Sequence, residues 1–126
     1  MRHGRTDAAR QRAEIRGRIA ESIAVLWLRL KGYRLLARNA RTTVGEVDVI
    51  MRKGRTLCFI EVKARPTLDQ ALSALTDRQC RRIERAALAW MGRRPDLQSC
   101  AMRFDLVALT PGRLPRHVPD AWRPPV

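Results

Sequence analysis

Glu46 and Asp48, in Gly45-Glu46-Val47-Asp48-Val49-Ile50, and Glu61 and Lys63, in Phe59-Ile60-Glu61-Val62-Lys63, set three carboxylates and an ammonium inside two otherwise apolar segments. An unpaired charge buried in a strand costs several kcal/mol, so these groups need partners. Carboxylate oxygens are hard ligands suited to Mg2+ or Mn2+. The chain holds 26 Lys and Arg against 12 Asp and Glu, a formal net charge of +14. A tight acidic cluster in so basic a protein points to a metal held against a polyanion. Phosphodiester hydrolysis needs an activated water, relief of charge on the phosphate and help for the leaving oxygen, and a bound divalent cation serves all three. Asp48 and Glu61 are the expected ligands, with the Val62 carbonyl. Lys63 is placed to orient the water or stabilise the phosphate. Glu46 is expected just behind them.

That expectation depends on a hairpin. Glu46–Arg52 and Arg55–Lys63 read as strands, with Lys53-Gly54 at the turn. A two-residue loop pairs Arg52 with Arg55, Glu46 with Glu61 and Asp48 with Phe59. Opposed residues point to one side of a sheet, so Glu46, Asp48, Glu61 and Lys63 share a face. Asp48 and Glu61 become diagonal neighbours about 7–8 Å apart. One cation can bridge that span.

The flanking elements follow from periodicity. Residues 1–12 read as a flexible basic N-terminus, and Ala13–Lys31 as a helix ended by Gly32. Ile15, Ile19, Ile23, Leu26 and Leu30 form one stripe on it. Glu21, Ala24, Val25 and Leu28 form a second, so the helix looks covered on two sides. Glu21 there is either a carboxylate lending an oxygen to a metal or an ordinary surface Glu paired with Arg. Tyr33–Arg38 reads as a first strand and 39–45 as a loop. Thr67 to Gln70 and Thr76 to Gln79 have capping-box spacing, giving a short turn at 68–74 and a helix over Asp77–Met91. Gln79, Ile83, Ala86, Ala87 and Trp90 face inward on that helix, while Arg78, Arg81, Arg82 and Arg85 form a basic stripe fit for phosphates or simply solvated. Met102–Leu109 reads as a fourth strand. Residues 111–126 hold five of the seven prolines and read as an irregular tail.

Length and composition set the remaining bounds. At 126 residues and 45% hydrophobic, one domain with one core is expected, spanning 13–110. Most of the basic residues are Arg, which suits bidentate phosphate contact. Cys58, Cys80 and Cys100 are odd in number and widely spaced, without a zinc or disulfide pattern. The longest apolar run, Ile23–Leu28, is far short of the ~20 residues of a membrane span. A soluble, cytoplasmic protein with no membrane partner is expected.

These residues carry a resemblance. Glu-Val-Asp-Val-Ile, a hairpin, then Phe-Ile-Glu-Val-Lys looks like the core of the PD-(D/E)XK, restriction-endonuclease-like superfamily. The closer match is its YraN-like family, which is similar to archaeal-type Holliday junction resolvases. Gly32-Tyr33, Ala37-Arg38-Asn39, Gly45-Glu46-Val47-Asp48, Phe59 through Arg65 and Arg103-Phe104-Asp105 carry it, over about residues 17–109. The resemblance implies an α/β fold with an αβββαβ core, a central mixed four-stranded sheet flanked by helices. It implies Asp48, Glu61 and Glu21 as metal ligands for Mg2+ or Mn2+, and Lys63 as the catalytic lysine. Ala20-Glu21 stands where the family often has Gly-Glu, and Gln79 where a Lys is common. Gln79 either reaches the site or closes its capping box.

Two functions compete at this level. One is a divalent-metal-dependent endonuclease acting on DNA, including branched DNA of the Holliday-junction kind, with Arg38, Arg65, Arg78, Arg81, Arg82 and Arg85 holding the nucleic acid. The other is a non-catalytic nucleic-acid-binding protein that keeps the nuclease fold. A third, structural reading pairs Glu46 and Glu61 with Arg38, Arg65 or Arg103. The resemblance further implies a homodimer.

Overall fold

The computed structural model describes residues 2–125, with side chains from Asp7 onward. Its order is α1 (Arg2–Leu30), β1 (Arg34–Thr42), β2 (Gly45–Lys53), β3 (Thr56–Ala64), α2 (Leu68–Ser73), α3 (Asp77–Met91), a 3-10 turn at Pro95–Leu97, β4 (Ala101–Leu109) and β5 (Arg116–Trp122). The strands form one sheet in sequence order. β1, β2 and β3 are an antiparallel meander, β4 joins β3 in parallel, and β5 returns antiparallel to β4. The fold is therefore a mixed α/β sheet flanked by helices, as expected for a restriction-endonuclease-like core. Among the described residues no helix is long and apolar enough to cross a membrane.

The helices cover opposite faces. Ala24, Val25 and Leu28 of α1 pack on Val49, Met51, Cys58, Ile60 and Val107. Ile83, Ala86, Ala87 and Met91 of α3 pack on Val47, Ile50, Leu57, Phe59 and Phe104. The two capping signals hold: Thr67 accepts from the Gln70 amide, and Thr76 and Gln79 close a full box at the start of α3. Each satisfies N–H groups that the first helical turn leaves unpaired.

Five expectations need correction. The hairpin turn is Gly54-Arg55, not Lys53-Gly54, and Lys53 pairs with Thr56. Gly54 has φ +59, the left-handed conformation that a type II′ turn demands at its first central position. The register thus shifts by two, which preserves the shared face but sets Asp48 across from Glu61. Next, α1 begins at Arg2 instead of 13, because residues 2–12 contain no proline and are rich in the helix formers Ala, Arg and Gln.

The stripe Ile15, Ile19, Ile23, Leu26 and Leu30 is not covered: these side chains are 43–74% exposed. Only the opposite side of α1 meets the sheet, from Ala20 onward. Lastly, the tail contains a fifth strand, so the sheet has five strands and not four. Pro119 is tolerated because β5 is an edge strand with a register break between the pairs Leu106–Val118 and Phe104–Trp122. Trp122 stacks on Phe104 at 5.3 Å and donates its indole N–H to Glu84 at 2.8 Å. β1 also runs past its expected end, so most of the 39–45 loop is strand.

Candidate active site

Asp48 sits where β2 and β3 part. Their pairing starts at Val49–Ile60, and alternation breaks beside it: Val47 lies with the α3 cluster and Val49 with the α1 cluster. The Asp48 side chain takes up the missing rung, its Oδ2 accepting from the Val62 N–H at 3.0 Å. Fixed this way, Asp48 lines two hollows. One, of about 260 Å3, is also lined by Glu46, Glu61, Gln79 and Arg82. The other, of about 500 Å3, is lined by Glu21, Arg16, Gly17, Val62 and Arg65.

The electrostatics are strained. Burial, then the adjacent Asp48 charge, push the Glu61 carboxyl up to about 8, against the pull of Lys63. Lys63 Nζ lies 3.4 Å from Glu61 Oε1 and is itself 8% exposed. Glu21 is also raised, by burial first and Asp48 second, with the Asn39 amide and Arg38 guanidinium pulling the other way. Its Oε1 is buried without a hydrogen-bond partner, and Arg38 Nη2 stands off at 3.8 Å. Asn39 reaches this position through a left-handed φ of +49.

The residues expected from sequence divide as follows. Glu46, Asp48, Glu61 and Lys63 come together, and Glu21 approaches Asp48 from the α1 side. Gln79 does both things proposed for it: it closes the capping box and lines the acidic hollow. Arg82 lines that hollow and is exposed, as are Arg78 and Arg85 on the same helix. Arg81 departs from its stripe, turning to Glu84 at 3.2 Å. Arg65 is exposed beside the second hollow. Arg38 ties β1 to α1 through the Arg18 carbonyl and Ser22 Oγ.

The structural reading fails in its partners, because Glu46 pairs with Arg41 at 3.5 Å, Glu61 with Lys63, and Arg103 with Asp105. Asp105 is fully buried, accepting from Arg103, His117 and the Asp120 N–H, so the Arg103-Phe104-Asp105 motif locks β4 to β5.

Two contributors escaped the sequence reading. Arg16 lines the Glu21 hollow, and its spacing with Ala20, beside Gly17 and Glu21, was the available signal. Gly45 is the other. An added Cβ there would stand 3.3 Å from the Arg82 carbonyl, at φ +151, so only glycine lets β2 approach α3 so closely.

A divalent cation fits the chemistry of these donors: all are hard oxygens, Glu21 Oε1 is orphaned, and the Asp48 and Glu61 carboxyls crowd together beside the single Lys63 ammonium. Among the described residues no three such side chains already converge on one point.

The sequence is similar to proteins of one family. The Uncharacterised protein family UPF0102 matches residues 20–109. A UPF0102 protein of Paramagnetospirillum magneticum is 55% identical over 119 residues, covering 91% of this chain and 92% of that protein. One from Maricaulis maris is 51% identical over 92% of this chain and 91% of its own length. One from Rhizobium meliloti is 46% identical over 97% of this chain and 100% of its own length. With the match spanning helix, hairpin, Glu-x-Lys strand and β4 alike, the chain belongs to the uncharacterised family UPF0102, the YraN-like family.

Proposed function

We propose that this protein is a divalent-metal-dependent endonuclease that hydrolyses phosphodiester bonds in DNA. The observation that carries the reading is the Asp48–Glu61 carboxyl pair at the open end of the hairpin, with Lys63 Nζ 3.4 Å from Glu61. Asp48, Glu61, the Val62 carbonyl and Glu21 are the groups that would hold Mg2+ or Mn2+. The ion, when bound, supplies an activated water and neutralises charge on the scissile phosphate. Lys63, held in place by Glu61, presents its ammonium to the phosphate. Arg82 on one side of Asp48 and Arg16 and Arg65 on the other offer bidentate contacts to neighbouring phosphates. Glu46 and Gln79 line the cleft without meeting the phosphate.

Incubation with a synthetic four-way junction and a matching linear duplex, with Mn2+ or Mg2+, tests this. Metal-dependent cuts absent from Asp48→Ala are expected, and junction preference would define branched DNA as the substrate. The lack of three convergent ligands favours a second reading, a nucleic-acid-binding protein without catalysis. Titration calorimetry with Mn2+ separates the two: no heat, with DNA binding intact, sinks the nuclease.

A further inference from the structure

The bare stripe on α1 is laid out as half of a two-fold interface. It consists of two ridges with i, i+4 spacing, Ile15-Ile19-Ile23 and Ser22-Leu26-Leu30. Turned end for end, one ridge becomes the other: Ile15 meets Leu30, Ile19 meets Leu26, and Ile23 meets Ser22. Ridges of this kind interdigitate in the commonest helix–helix packing class. The small Ser22 lies next to the centre of exchange, with the Arg38 guanidinium on its Oγ forming a charged border to the stripe there. A hollow of about 300 Å3 opens there, lined by Ile19, Ser22, Ile23 and Leu26, and a second copy's ridge can fill it.

Area supports the same occupant. The five large side chains, 43–74% exposed, present roughly 500 Å2 of apolar surface per copy, so covering them fully in two copies removes about 1,000 Å2 before any rim is counted, the lower threshold for a specific interface. A patch of that extent is as large as the largest on a typical monomer, and such patches are often functional.

We infer that this face is an antiparallel self-association surface, α1 against α1 of a second copy of this chain. The opposing term is charge. Each copy carries +14, and Arg18 and Arg29 lie exposed on α1. Salt screens that repulsion while leaving apolar burial intact, so association strengthens as salt rises. An acidic partner or an anionic lipid surface would show the opposite dependence.

Sedimentation equilibrium at low and high salt is the test. A dimer favoured by salt, weakened at least 100-fold by Ile19→Asp with the melting temperature retained, supports the assignment. Monomer at every salt, a dimer indifferent to Ile19→Asp, or binding to anionic vesicles by an otherwise monomeric protein overturns it. Geometry is tested separately in a Cys100→Ser background, where Cys58 and Cys80 are buried. Ser22→Cys should cross-link two copies. Ile15→Cys should not, since antiparallel copies set those positions about 22 Å apart at 1.5 Å rise per residue. Cross-linking of Ile15→Cys alone would overturn the antiparallel arrangement.

Discussion

The Val62 N–H donates to Asp48 Oδ2 at 3.0 Å, so a carboxylate stands where a strand carbonyl would otherwise continue the β2–β3 ladder. One bond thereby sets both the position of Asp48 and the point at which the sheet opens to form the cleft. Asp48→Asn keeps an acceptor for that N–H but removes the charge. Above about pH 8, where Glu61 is charged, it should fold with a melting temperature equal to or above that of the parent, because a like-charge contact with Glu61 is gone. Cleavage should fall at least 100-fold. Asp48→Ala also loses the acceptor and should be less stable by about 1–3 kcal/mol, the cost of an unsatisfied buried donor. Urea melts of the two variants distinguish these effects, and equal destabilisation would contradict the structural role of the bond.

The raised Glu61 carboxyl predicts a pH dependence of definite sign. Unfolded, a Glu titrates near 4.5, and here it is pushed up to about 8. The folded, metal-free protein therefore binds more protons between those values, and the stability contributed by this carboxyl is fully present below 4.5 and lost as pH rises through about 8. Glu61→Gln should flatten that slope in thermal melts. A divalent ion competes with the proton, so the rise in melting temperature on adding Mn2+ should be larger at the alkaline end of the window than at the acidic end. A Mn2+ effect independent of pH would argue that Glu61 is not a ligand.

Gly45 couples the hairpin to α3. With φ +151 and a would-be Cβ 3.3 Å from the Arg82 carbonyl, Gly45→Ala faces both backbone strain and a close contact with main chain. A loss of about 1–3 kcal/mol follows from the strain alone. Activity should fall further than stability, because Glu46 and Asp48 follow Gly45 on the same strand and move with it. Parent-like activity in a folded Gly45→Ala protein would show that the approach of β2 to α3 does not position the site.

How much of this was legible beforehand depended on the kind of signal. The α3 boundaries were readable to the residue because Thr76, Gln79 and Gly92 are local devices that act within one turn. Glu46, Asp48, Glu61 and Lys63 come together despite the wrong register: a shift of two keeps Asp48, Glu61 and Lys63 on one face, and the break in alternation at Val47 brings Glu46 to the same hollow. The turn itself was misplaced because the position of Gly54 within a two-residue loop depends on the sign of φ, which composition does not report. β5 was missed because prolines speak against a strand, whereas an edge with a register break accepts them. The exposure of Ile15, Ile19 and Ile23 was invisible for another reason. Periodicity marks an apolar face but not what covers it, and a helix lying on a sheet meets it on one side only, here through Ala24, Val25 and Leu28.

The basic residues make the final prediction, since α3 splits them by role. Arg82 is exposed at the acidic cleft, whereas Arg81 is turned to Glu84, which in turn accepts from the Trp122 indole. Arg82→Ala should leave the melting temperature unchanged, weaken DNA binding and reduce the slope of log affinity against log salt by about 1, the release of one counterion. Arg81→Ala should do the reverse: little change in salt slope, but a lower melting temperature, because Glu84 loses its partner and the β5 anchor at Trp122 loosens. Fluorescence anisotropy across a salt series, paired with thermal melts, reads both at once. If the two variants exchanged behaviours, the phosphate path would have to run over the Glu84 side of α3 and away from Asp48.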